Sequence, residues 1–72
     1  MTDSFLLNYK IKQSGLKLGS IAETLGLSRT GLYNKINGSS EFFGSEIASL
    51  SELLNLSTEE REDIFFNKKV DK

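Results

Sequence analysis

The chain predicts an all-α fold: a compact bundle of five short helices with a central helix-turn-helix, forming one domain over residues 1–72. Three observations carry this. Apolar residues recur at helical spacing, with Leu18, Ile21, Ala22 and Leu25 at i, i+3, i+4 and i+7. Gly15, Gly26 and Asn37-Gly38 follow such stretches at the points where helices stop. Ser28 and Ser57 stand where new helices begin, each offering a hydroxyl to otherwise unpaired amides of a first turn.

In chain order, the first helix spans about 3–14, with Asp3 or Ser4 as its cap. Leu7 and Ile11 are its clearest buried pair, with Phe5, Leu6 and Tyr9 around them. Phe5 and Leu6 cannot both share Leu7's face, so one of them is exposed or covered by a partner. Gly15-Leu16 reads as a glycine stop followed by an apolar residue that folds back on the last turn. The second helix, about 18–25, ends at Gly26, and Leu27 returns a side chain to the core. Ser20 and Glu23 have capping-box spacing, but Ser20 lies within the apolar stripe, which argues against that role.

The third helix, about 28–37, is capped by Ser28 and buries Leu32 and Ile36. Two short helices joined by about three residues including a glycine, with the small Ala22 permitting a close crossing, describe a helix-turn-helix. Asn37-Gly38 could open a hairpin, but no alternating strand flanks it. Residues 38–44 form a loop from which Phe42 plugs the core, leaving Phe43 as the odd aromatic. The fourth helix, about 45–54, sets Ile47, Leu50, Leu53 and Leu54 at helical spacing, and Leu56 closes the core. Ser57-Thr58-Glu59-Glu60 is a capping box with acidic residues in the first turn, where the helix dipole favours them. The fifth helix, about 58–66, turns Ile64 and either Phe65 or Phe66 inward, with an extended form of 64–66 left open. A polar tail occupies 67–72.

Composition removes several function classes. Without cysteine there is no disulfide, thiolate nucleophile or thiolate zinc site, and without histidine the commonest base and metal ligand is missing. No base–nucleophile pair is recognisable, and Glu59–Asp63 lacks the grammar of a calcium loop. The reading is therefore no catalytic residues, no metal, no cofactor and no small-molecule ligand. There is no signal-peptide pattern and no membrane-length apolar run. The expected location is the cytoplasm, where the sequons at Asn37 and Asn55 carry no meaning.

The net charge of −1 hides an asymmetry. Residues 10–40 hold Lys10, Lys12, Lys17, Arg29 and Lys35 against Glu23, a net of +4. Residues 41–63 hold seven acids against Arg61, a net of −6. One face suited to phosphate and another unsuited to it would follow. Chance clustering of solvated charges is the plain alternative.

Since Leu32 and Ile36 face inward, Arg29, Thr30, Tyr33 and Asn34 point away from the core. The run LxxIAxxLGLSRTGLYNKINGSSEF, feeding an apolar helix, resembles the Cro/CI-type helix-turn-helix family of phage and plasmid regulators over about residues 5–56. That resemblance implies a lambda repressor-like DNA-binding domain whose second motif helix enters the major groove. By match to the motif, Arg29, Thr30, Tyr33 and Asn34 are the base-reading candidates. Arg29 could donate bidentately to guanine, Asn34 could pair with adenine, and Thr30 could meet a thymine methyl. Lys17, Lys35, Asn37, Ser39 and Ser40 are the phosphate-contact candidates, through charge, hydroxyls and free amides.

The chain also departs from the family's pattern. Leu18 stands where a polar phosphate anchor is usual, Lys17 where a Ser or Thr cap is usual, and Gly31 interrupts the reading helix at a cost of about 1 kcal/mol against alanine. Few cations are available to phosphate, so nonspecific DNA affinity should be low and salt-sensitive. Tyr33 and Phe43, with Arg29 beside them, have the composition of a protein-interface anchor.

Two expectations follow from the resemblance. The first to be favoured is a small phage regulator of the lysis/lysogeny switch that binds the phage lysogeny repressor and masks or alters its operator binding, with Arg29, Tyr33 and Phe43 at the interface. The alternative is an autonomous Cro-like repressor that binds double-stranded palindromic operator DNA as a homodimer. Phe5, Leu6 and Phe66 are candidate dimer contacts. The setting in either case is a bacterial host's cytoplasm.

Overall fold

A computed structural model describes residues 2–66 of the chain. The expected polar tail, 67–72, lies outside them. Five helices follow one another: α1 (Ser4–Ser14), α2 (Leu18–Leu25), α3 (Arg29–Ile36), α4 (Gly44–Leu53) and α5 (Thr58–Phe65). Among the described residues there is no strand, and no helix is long and apolar enough to cross a membrane. The expected all-α architecture is therefore present, with each boundary within one residue of the spacing-based reading once caps are counted.

Local chemistry sets those boundaries. Asp3, not Ser4, caps α1, its carboxylate accepting from the Leu6 amide at 3.1 Å. Ser28 accepts from Gly31 N–H at 2.9 Å and so starts α3. Ser57 and Glu60 form the reciprocal capping box of α5, with bonds of 3.0 and 2.9 Å. Gly26, at φ 74°, takes the left-handed conformation that ends α2, and Leu27 N–H then donates to the Ala22 carbonyl at 2.8 Å. That pair of features turns the chain from α2 into α3 within three residues.

The core takes one fully buried side chain from each helix: Leu7, Ile21, Leu32, Leu50 and Ile64. Burying a side chain of that size contributes about 1.5–3 kcal/mol, so a bundle of five short helices needs all five. α2 packs on α3 and α4, while α1 packs on α3 and α5. The N-terminus is tied in at two points. Asp3 N–H donates to the Ile64 carbonyl at 2.7 Å, and the Ser4 hydroxyl donates to the Ile36 carbonyl at 2.6 Å, closing the last turn of α3. Phe42 enters the core from the α3–α4 loop and meets the Phe65 ring edge-on at 5.5 Å.

Several sequence expectations are resolved or corrected here. Residues 64 and 65 are helical, Phe65 is the inward aromatic and Phe66 is exposed. Leu6 packs against the core, leaving Phe5 exposed. Leu18, placed on the buried stripe by spacing, is 39 % exposed, because α2 buries Ile21 and Ala22 and turns its first residue outward. Leu16 borders a hollow along α1 and is only partly covered. Its N–H is held by the Ser14 hydroxyl at 3.1 Å, and its side chain stays 38 % exposed.

Candidate interface around the third helix

The outer face of α3 is set by its buried face. Leu32 and Ile36 are in the core, so Arg29, Thr30 and Tyr33 are exposed. Asn34 is only half-buried, and its carbonyl accepts from Ser39 and Ser40 N–H at 2.9 and 3.2 Å. The α3 residues named from the motif therefore share one helix, but three of the four are presented fully.

Arg29 reaches back across the turn. A β-carbon built on Gly19 would lie 3.3 Å from Arg29 Nε, so the guanidinium lies over the first turn of α2. That turn has Lys17 as its cap, no side chain accepting from its amides, and no acidic residue. Arg29, Lys17 and the positive end of the α2 dipole thus fall on neighbouring parts of α2 and α3. No signal in the sequence placed Gly19 beneath Arg29, because they are ten positions apart and on different helices.

Lys35 is not an outward cation. It is buried, and its ammonium donates to Glu46 Oε1 at 2.8 Å while lying 4.1 Å from the centre of the Phe43 ring. The same carboxylate oxygen accepts from the Phe43 amide at 2.8 Å. Burial pushes the Glu46 carboxyl up, but the Lys35 and Phe43 hydrogen bonds and the Lys35 charge together bring it below its ordinary value. One carboxylate therefore fastens α3 to the start of α4 and holds Phe43 in place. As a phosphate contact Lys35 is withdrawn, since its charge is already paired with Glu46 and its side chain is largely covered. Glu46 was legible only as a glutamate at the third position of α4, a usual place for a side chain that reaches back to the cap.

Ser39 and Ser40 are exposed, but their amides are not free. Ser39 N–H donates both to the Asn34 carbonyl and to Asn37 Oδ1, the latter at 3.0 Å, and Ser40 N–H donates to Asn34. Any phosphate contact from this loop is left to hydroxyls. The charge asymmetry is also partly cancelled in space. Lys10 pairs with Glu60 at 2.8 Å and Lys35 with Glu46, each joining the basic half to the acidic half. Among the described residues, Lys12, Lys17 and Arg29 are the basic-half cations outside ion pairs.

Two large aromatics border this surface. Tyr33 is 58 % exposed on α3, and Phe43 is 66 % exposed, with Lys35 against its ring. The chain matches no family model, and comparison with curated proteins and with solved structures gives no match.

Proposed function

We propose that the protein is a small helix-turn-helix regulator of a phage lysis/lysogeny switch that acts by binding the lysogeny repressor and masking or altering its operator binding. The motif reading rests on the resemblance of residues 5–56 and is supported by the capped α2–turn–α3 pair, with Arg29, Thr30 and Tyr33 on the outer face of α3. The observation that carries the choice of a protein partner over DNA is the fate of the cations. Two of the five basic-half cations are spent on internal carboxylates, which leaves a weak electrostatic hold on phosphate. Tyr33, one turn from Arg29 on α3, and Phe43, at the start of α4, are exposed aromatics of the kind that anchors protein interfaces.

The second reading is an autonomous Cro-like repressor, dimeric on a palindromic operator. It is favoured by Arg29 and Thr30, exposed at the start of α3, where base edges are met in such proteins.

A titration separates the two. The purified protein is mixed with switch-region DNA, alone and with the repressor, at low and at physiological salt. Weak, salt-sensitive binding alone, with a stoichiometric repressor complex and changed DNA occupancy, supports the modulator. Sequence-specific binding by the protein alone at physiological salt makes it a repressor in its own right.

A further inference from the structure

Beside the α1–α2 junction, reaching in to the core residue Ile11, lies an apolar groove, and we propose that it docks an acidic amphipathic helix of a partner protein. The groove has a volume of about 460 Å³ and is lined chiefly by Phe5, Tyr9, Leu16 and Leu18, together with Asn8 and Lys12. Phe5 is 80 % exposed and Tyr9 56 %, one turn apart on α1. Leu16 and Leu18 flank Lys17 at the entry to α2 and are both more than a third exposed. Scattered apolar residues on a surface are ordinary, but four that line one hollow form a patch of the kind that receives a partner.

The fold presents this patch rather than tolerating it by accident of sequence. Gly15 turns the chain at φ 77°, and the Ser14 hydroxyl holds the Leu16 amide, so the link between α1 and α2 is fixed with Leu16 outward. A shallow trough between two rigid helical segments, walled by an i, i+4 aromatic pair, suits the apolar ridge of another helix.

Charge identifies the occupant. Lys12 lines the groove and is in no ion pair among the described residues, and Lys17, next to Leu16 and Leu18 in the chain but not part of the lining, is likewise unpaired among them. Among the described residues no carboxylate lines the groove. The N-terminus of α2, with no acidic residue in its first turn and no side chain accepting from its amides, lies at the Leu18 end. Acidic residues occur on the far side of Tyr9, in a smaller hollow with Glu60 and Asp63, where Lys10 is already taken by Glu60. A second copy of the chain docking here by two-fold symmetry would bring Lys12 toward its own equivalent, with no carboxylate among the described lining residues to offset it. An acidic segment with an apolar stripe meets both features. The apolar wall of this surface lies on α1 and at Leu16 and Leu18, whereas the α3 reading rests on Arg29, Tyr33 and Phe43, so variants in the one test it apart from the other.

The test is a ¹⁵N-edited NMR titration of the full chain with a synthetic helical peptide of about 14 residues, long enough for partial helicity. The peptide carries Leu and Phe at i, i+4 spacing and Glu on both flanks, and a second peptide has every Glu replaced by Lys. The acidic peptide is expected to shift Phe5, Tyr9, Lys12, Leu16 and Leu18. The basic peptide, and the variants Phe5→Ser and Tyr9→Ser, are each expected to weaken binding by about tenfold. Both variants alter exposed side chains, and unchanged thermal melts verify that they remain folded. Four outcomes overturn the proposal: no shift at these residues, equal response to both peptides, shifts centred on Tyr33 and Phe43, or unchanged binding by the two variants. Self-association in sedimentation that Phe5→Ser abolishes would assign the groove to a second copy instead. Shifts of the same residues by a DNA duplex, without response to the peptide, would assign it to nucleic acid.

Discussion

Lys35 and Glu46, eleven positions apart, meet at 2.8 Å with about a tenth of each side chain exposed. The contact fixes the α3–α4 loop, because the same carboxylate oxygen receives the Phe43 amide. Removing one member of a buried pair strands the other, which costs more than the pair itself contributes. Glu46→Ala removes the charge and the acceptor together and is expected to destabilise the protein by about 2–4 kcal/mol, measured by urea unfolding. Glu46→Gln keeps an oxygen for the Phe43 amide and should cost less. Equal losses in the two variants would show that the ion pair, and not the Phe43 amide bond, fastens the loop.

Acid should weaken the fold through the same group and through Glu60. Both carboxyls lie below their ordinary value of 4.5 in the folded chain. For Glu46, burial opposes the shift and the Lys35 and Phe43 bonds outweigh it. For Glu60, the leading cause is the hydrogen bond from Lys10. A depressed folded value means that the unfolded chain binds protons first as the pH falls. The stability contributed by these groups is therefore complete above about pH 4.5 and is lost as the pH drops through the lower folded values. Thermal melts between pH 3 and 7 should decline on the acid side, and Glu46→Gln should flatten part of that decline.

Asn55 sits at φ 54° just past α4, the one described non-glycine residue with positive φ. Its amide donates to the Glu52 carbonyl at 3.1 Å, and Leu56 N–H donates to Ser51 at 2.9 Å, as at the end of α2 where glycine occupies the turn. Asparagine tolerates this conformation better than most residues, but glycine has no β-carbon to strain. Asn55→Gly is expected to raise stability by roughly 0.5 kcal/mol, visible as a higher melting temperature. A fall would mean that the asparagine side chain holds the turn.

Arg29, Tyr33 and Phe43 divide the two functional readings. All three are exposed, so replacing them by alanine should leave the melt nearly unchanged. In a repressor-directed protein, Tyr33→Ala or Phe43→Ala should weaken repressor binding by about tenfold or more, as truncation of an aromatic anchor does. In a DNA-directed protein, Arg29→Ala should weaken operator binding similarly while any repressor binding persists. Calorimetry for the first and fluorescence anisotropy for the second read these outcomes directly.

The helices were legible in the sequence because they rest on short-range chemistry. Asp3, Ser28 and Ser57 cap within three residues of themselves, Gly26 stops its own helix, and the apolar spacing marks Leu7, Ile21, Leu32, Leu50 and Ile64 for burial. Phe42 could likewise be assigned to the core from a loop flanked by two apolar helices. The face of α3 that carries Arg29, Thr30 and Tyr33 follows from the burial of Leu32 and Ile36 alone.

Only the tertiary structure decided which of several equivalent side chains each face would use. Lys35 and Lys17 are equally basic in the sequence, yet one is buried against Glu46 and the other is exposed, because a carboxylate from the next helix reaches only the first. Phe65 is buried and Phe66 exposed because the inward position of α5 is where Phe42 arrives. Leu18 has the spacing of a core residue but, as the first residue of α2, lines a groove beside α1 where helical periodicity places a buried stripe. Periodicity and caps are set by neighbours in the chain, whereas ion pairs spanning 11 and 50 positions and a groove between two helices exist only once the helices have packed.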